Sequence, residues 1–290
     1  MITALAANTP EISSAATALF LRQHDVGMGI VIGSNIFNLA ALLALSALIA
    51  GRLPVRRQGV IFNGAASLMV ILVLVLLVFK FISAPVSLML LILLLIPYIS
   101  ISSLKPDQIK QWGLPEKIYA FLIIVIAQTR YTSREPKMVI SKSWSWVWMG
   151  GPAVIVIIAA SIGMVRSAIF LSNGWGVSTT IVGMLILAAL TGIPNVITST
   201  KLALGGKGTA VMSESLNSNT LNILFGICVP AAILGLGSLA RQTIFSVWWL
   251  IGMTIIVLCL LYFKKGFNRM NGAITVGLYL VFVIIVIGWK

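Results

Sequence analysis

Glu11 is the residue in this chain best placed to do chemistry, and its neighbours indicate which chemistry. It stands in "NTPEISSA", positions 8–15, directly after Pro10 and among short polar side chains. At helical spacing, Asn8 and Ser14 lie three residues to either side of it, on one side of a helix. Further along, "GSNIFN" places Ser34 and Asn38 four residues apart. A second stretch carries Thr191, Asn195 and Thr198 at the same spacings, followed by Ser218 and Asn222. Carboxylate, amide and hydroxyl oxygens without sulfur or imidazole form a hard ligand set. Such a set suits Na⁺ or Ca²⁺ rather than zinc, copper or iron. A proline within a helix removes a backbone hydrogen bond and frees a carbonyl, which is a further cation ligand. Each Ser or Asn serves equally well as interhelical glue, and Gly29 and Gly33 as points of close helix packing. Glu11 has no comparable ordinary use.

The elements that must hold these residues are membrane helices. Of 290 residues, 59% are hydrophobic and 9% charged, with six acidic residues and one histidine. That is too little charge to cover a soluble surface, whereas runs of the ~20 apolar residues that span a bilayer recur throughout. The fold class is all-α: a polytopic membrane protein with nine spans, near 1–22, 27–50, 58–80, 83–103, 147–171, 177–203, 209–238, 243–263 and 270–289. One long hydrophilic stretch, 104–146, separates the fourth span from the fifth. Its apolar run at 118–127 is too short to cross and reads as an interfacial or loop-packed helix. Trp144, Trp146 and Trp148 then mark the water-to-lipid entry of the fifth span.

The net charge of +14 follows the positive-inside pattern and does not signal nucleic-acid binding. Arg52, Arg56, Arg57, Lys201, Lys207, Lys264, Lys265, Arg269 and the 104–146 loop fall on one side, taken as cytoplasmic together with the N-terminus. Arg22, Lys80, Arg241 and Lys290 fall on the other. The expected location is the cell membrane, with lipid and inorganic cations as partners. Cys228 and Cys259 read as small core residues, His24 and Asp25 as surface residues of an outer loop. Glu214, near the inner end of the seventh span, reads as a solvated terminus residue or a gate. No signal-peptide pattern opens the chain. An enzyme needs an acid–base or nucleophile constellation; one carboxylate and no histidine at membrane depth do not supply it.

The chain also repeats itself. Adding 184 to a residue number maps Pro10 onto Pro194, Glu11 onto Asn195, Ser34 onto Ser218, Asn35 onto Asn219, Asn38 onto Asn222 and Gly51 onto Gly235, without a gap. Two apolar segments matching by accident would share Leu, Ile and Ala rather than Pro, Ser and Asn. The copies begin at spans one and six, an odd number of crossings apart, so the second is inserted upside down. Inverted repeats with broken helices are an architecture of secondary transporters. The expected organisation is an N-terminal half, 1–103, with its repeat at 1–51; the 104–146 loop; and a C-terminal half, 147–290, with its repeat at 177–238. Ten helical residues before Glu11 rise about 15 Å, half of a hydrocarbon core of about 30 Å. A carboxylate at that depth costs ~3 kcal/mol or more and should face a partner, a cavity or an ion.

At these residues the sequence resembles the sodium/calcium exchanger superfamily of cation antiporters. That family carries two inverted repeats, each with a "G-T-S-x-P-E" helix and a "G-S-N-I-F-N"-like helix. Here they stand as "ANTPE" with "GSNIFN", and "TGIPN" with "NSNTLN". The resemblance implies alternating access around a four-helix site, exchanging Ca²⁺ for Na⁺ or H⁺ as transported substrates, with no cofactor. It also implies Glu11, Ser34, Asn38, Thr191, Gly192 (through its carbonyl), Ser218 and Asn222 as ligands; Asn8 and Asn195 join them by spacing. Two departures stand out. Asn195 replaces the family's second acidic residue, so bound Ca²⁺ would leave positive charge in a low-dielectric site. The chain also opens directly on the repeat, without the family's preceding helix. The functional expectation is a secondary cation antiporter. The alternative that these departures support is a degenerate, non-transporting relative with a scaffolding or regulatory role.

Overall fold

The computed structural model describes residues 5, 7–104, 106–132, 145–237, 239–264 and 266–289, with side chains except at 106–107, 128–132 and 145–154. The chain is a bundle of long helices. In order they are α1 (Thr9–Phe20), α2 (His24–Ala50), α3 (Arg57–Val78), α4 (Ala84–Ser103), α5 (Pro106–Lys110), α6 (Glu116–Thr132), α7 (Ser145–Trp175), α8 (Thr179–Leu204), α9 (Gly208–Leu234), α10 (Arg241–Phe263) and α11 (Arg269–Gly288). Among the described residues eight helices are long and apolar enough to cross a membrane: α2, α3, α4, the 155–175 part of α7, and α8 to α11. They coincide with spans two to nine of the sequence reading. The first span, 1–22, begins on residues outside the described set. Trp144 also lies outside it, as do the side chains of Trp146 and Trp148.

Burial sorts the helices. In α2 and α9 the most apolar stretch is 89% and 72% buried within the protein, against 22% in α4 and α7 and 28% in α11. The peripheral helices turn Leu93, Ile96, Phe170, Ile284 and Ile287 outward, as lipid solvation requires. The two helices that carry "GSNIFN" and "NSNTLN" therefore form the centre. Glycine sets how closely α2 meets α8. A Cβ on Gly33 would lie 2.1 Å from the Met184 carbonyl oxygen, and one on Gly29 2.6 Å from that of Thr180. The close-packing role expected of these glycines is observed.

Three helices contain π-helical stretches: Asn38–Leu45 in α2, Val182–Leu187 in α8 and Leu224–Cys228 in α9. Shifted by 184 residues, the first (222–229) contains the last, and both repeats close on a left-handed glycine, Gly51 (φ 86°) and Gly235 (φ 81°). Neither π stretch has a sequence signature.

The helix ends group the loops as the span count requires. At one end Arg52–Pro54 (β1) pairs antiparallel with Gly266–Asn268 (β2), and Gly208 packs on the Pro54 backbone. At the other end the His24 ring lies against Gly237. The short β pair is an addition to the all-α expectation. Helix α6 lies within the hydrophilic stretch and packs on α3 and α4, with Val125 and Ile126 buried. It covers the apolar run at 118–127, for which an interfacial or loop-packed helix is expected.

Some expectations are corrected. Asn8 is a turn residue, and α1 begins at Thr9 with Pro10 in its first turn. A first-turn proline lacks an N–H that would have no intrahelical partner anyway. The unbroken helix assumed in placing Glu11 is therefore interrupted at Asn8. Pro194, its counterpart, does sit inside a helix. Cys228 is buried but Cys259 is exposed on α10. His24 and Asp25 open α2 and are half-buried, with His24 Nδ1 and Asp25 Oδ1 shielded and unpartnered.

Candidate cation site

Ser34 and Ser218 each stand ten residues past the first residue of a 27-residue helix, one turn before Asn38 and Asn222. Both pairs are completely buried near the middle of their spans. Four asparagines join the two helices. The Asn35 side chain donates to the Asn219 carbonyl at 3.3 Å, and the Asn219 side chain donates to the Asn35 carbonyl at 3.0 Å. Asn38 Nδ2 donates to Asn219 Oδ1 at 3.0 Å, and Asn222 Nδ2 to Asn35 Oδ1 at 3.2 Å. Each bond is the image of another under the 184-residue shift, so the two repeats meet about a pseudo-two-fold axis. Ser215 adds a hydroxyl donated to the Asn38 carbonyl at 3.1 Å.

Helices α1 and α8 close the site from its other side. Asn195 Nδ2 donates to Glu11 Oε1 at 3.0 Å and to Asn8 Oδ1 at 2.9 Å, and Asn8 Nδ2 donates to Ser218 Oγ at 2.9 Å. Glu11, only 1% exposed, thus touches its own repeat counterpart. Gly192 stands beside the carboxylate: a Cβ there would lie 4.0 Å from Glu11 Oε1 and 2.8 Å from the Phe37 ring. Thr191 is buried, but its hydroxyl turns back to the Leu187 carbonyl of its own helix at 2.8 Å. Its hydrogen bonds do not reach the other candidates.

Several oxygens at these residues are buried without a partner: Glu11 Oε2, Ser34 Oγ, Asn38 Oδ1, Asn195 Oδ1 and Asn222 Oδ1. Buried acceptors are nearly always satisfied, and exceptions call for a cause. Here the amide N–H groups are spent on bonds between helices while the oxygens stay free, which is the donor set a hard cation needs. Among the described residues, no three His, Cys, Asp or Glu gather as a soft or carboxylate-rich metal centre would require.

Two residues grouped with the site by spacing stand apart from it. The Ser14 hydroxyl faces Met164 Sδ at 3.8 Å, and Thr198 is exposed, donating to the Pro194 carbonyl. Asn35 and Asn219 were legible only as repeat matches, yet they form the joint between α2 and α9. The Tyr98 hydroxyl was not foreseen either. From α4 it lies 2.7 Å from Asn63 Oδ1 and 2.9 Å from Asn217 Oδ1, tying α3 and α4 to α9. No spacing rule links these three positions.

The description "sodium/calcium exchanger protein" is that of the family model that matches residues 1–105 and 144–288. The chain belongs to this family. Sodium/potassium/calcium exchanger 2 of Gallus gallus is 32% identical over 118 residues, covering 38% of this exchanger-family chain and 18% of that protein. Sodium/potassium/calcium exchanger 1 of Gallus gallus is 30% identical over 182 residues, covering 59% and 27%. The chain therefore spans under a third of the length of these relatives. Among solved structures, the H⁺/Ca²⁺ exchanger CAX superimposes with a TM-score of 0.67 at 13% identity, covering 98% of this chain and 75% of that one. The sodium-calcium exchanger NCX_Mj, soaked with 2.5 mM Na⁺ and 10 mM Sr²⁺, superimposes with a TM-score of 0.62 at 18% identity, covering 97% and 83%. These likenesses show the exchanger fold, and the chain is a multi-pass integral membrane protein.

Proposed function

We propose that this chain is a secondary cation antiporter, with the ion held where the two repeats meet. One observation carries the reading: a single buried carboxylate and four further unpartnered oxygens belong to residues drawn from α1, α2, α8 and α9. Glu11 Oε2 supplies the charge, while Ser34, Asn38, Asn195 and Asn222 supply neutral oxygens. Ser218, Asn8, Thr191 and the Gly192 carbonyl complete the wall. Inverted repeats offer two arrangements of similar energy, one open to each side of the membrane. The break at Asn8 and the π-helical stretches beside the asparagines are where the helices would rearrange. The relatives named as exchangers, and the family itself, support antiport over a scaffolding role and over an enzyme. The charge distribution supports a cell-membrane protein with its N-terminus and the 104–146 loop on the cytoplasmic side.

The test is transport by the purified chain in liposomes, loaded with Na⁺ or acidified, against external Ca²⁺ or a monovalent cation, with Glu11→Gln alongside. Counterflow of any cation pair by wild type, abolished by Glu11→Gln, is the expected outcome. Correctly inserted wild type that moves no cation would overturn the reading.

A further inference from the structure

The set of free oxygens constrains the charge of the ion as well as its hardness. Glu11 is the one acidic side chain in it. The position related to Glu11 by the repeat is Asn195, and its amide hydrogens are committed to Glu11 Oε1 and Asn8 Oδ1. The remaining free oxygens belong to a hydroxyl and to amides, all neutral. Other ionisable groups on the surrounding helices do not join the set: Arg22, Arg166 and Lys201 are exposed, and His24 and Asp25 are half-buried at the end of α2. Glu214 is half-buried on α9, about 6 Å of helix rise from Ser218 and about 12 Å from Asn222, and its oxygens are not among the free ones.

We infer that this site carries singly charged cations, one at a time, in one-for-one exchange for another singly charged ion, and discriminates against Ca²⁺; the inference rests on the antiporter reading above. One carboxylate and one monovalent ion sum to zero, and so do one carboxylate and one proton. The loaded site is then neutral in either case, which is the condition for crossing a low-dielectric interior without a large desolvation cost. A divalent ion would leave one positive charge uncompensated. Asn195 enforces this selectivity twice over: it brings no charge, and it holds Glu11 Oε1 by donating a hydrogen bond where a second carboxylate would repel it. The ion–carboxylate unit carries no net charge across the membrane, so the exchange is electroneutral.

The experiment uses the full chain, purified and reconstituted. Thermal stabilisation by LiCl, NaCl, KCl and CaCl₂ at matched ionic strength gives relative affinities, and isotopic flux with current recording on a supported membrane gives charge movement. Wild type should be stabilised by at least one monovalent cation at concentrations about tenfold or more below those needed for Ca²⁺. It should move that ion without net current. Asn195→Asp should raise Ca²⁺ affinity on the order of a hundredfold and allow Ca²⁺ flux. Should this variant fail to fold, the wild-type order of affinities and the current still decide. Tight Ca²⁺ binding and Ca²⁺ flux by wild type, both lost in Glu11→Gln, would overturn the inference and leave the antiporter standing. No stabilisation and no flux with any cation would overturn both.

Discussion

Asn35 and Asn219, 184 residues apart, each donate a side-chain hydrogen bond to the other's backbone carbonyl, at 3.3 and 3.0 Å. The number that relates the two halves of the sequence is thus also the number that relates two contacting residues. A repeat axis passes through the joint between α2 and α9. Because the joint lies beside the free oxygens of Asn38 and Asn222, a movement of either helix shifts both oxygens.

Breaking this clasp should cost stability in a non-additive way. Interhelical polar contacts in membranes average only about 0.6 kcal/mol because the unfolded helices find other partners. An orphaned buried carbonyl costs about 1–3 kcal/mol. Asn35→Ala and Asn219→Ala are each expected to destabilise by roughly 1–2 kcal/mol, and the double variant by clearly less than their sum. Reversible unfolding in mixed micelles measures this cycle.

The Gly33–Met184 approach predicts a sharper effect. A methyl group at Gly33 would meet backbone, which yields far less readily than a flexible side chain, so Gly33→Ala should cost about 3 kcal/mol or more. Gly252→Ala, with nothing within 4 Å of the added carbon, should be neutral or better by up to about 1 kcal/mol. Size-exclusion profiles and melting temperatures of the two variants separate these outcomes.

Ser34 and Ser218 differ in their bonding although the repeat equates them. Ser34 Oγ has no partner, whereas Ser218 Oγ accepts from Asn8. Ser34→Ala should leave ion-free stability within about 0.5 kcal/mol while lowering the stabilisation given by saturating cation. Ser218→Ala should lower both, by about 1 kcal/mol in the ion-free state. Melting curves with and without cation test the contrast through ligand linkage.

Tyr98→Phe removes the hydroxyl between Asn63 and Asn217 while keeping the ring stacked on Phe62, 5.0 Å away. The expected loss is about 1–2 kcal/mol, from two amides that lose a partner. The same thermal assay reads it, and Phe62→Leu, which removes the stacking instead, provides the comparison.

What the sequence by itself determined was everything carried by period and composition. Apolar length placed spans two to nine, because a bilayer leaves a helix no shorter solution. The 184-residue echo paired Glu11 with Asn195, Ser34 with Ser218 and Asn38 with Asn222 before the fold was known, and a pseudo-two-fold axis brings together those equivalent positions that lie near it. Glycine spacing on α2 anticipated the close approach to α8. Tertiary structure decided which atoms are free. That Asn195 spends its amide hydrogens on Glu11 and Asn8, that Asn35 and Asn219 clasp, and that Thr198 faces outward depend on helix rotation. Rotation is set by packing between partners far apart in the chain. It decided as well that α1 starts only at Thr9, and that π-helical stretches fall beside the asparagines. Local propensity does not distinguish a π turn from an α turn in an apolar run; the difference is made by what the neighbouring helices leave room for.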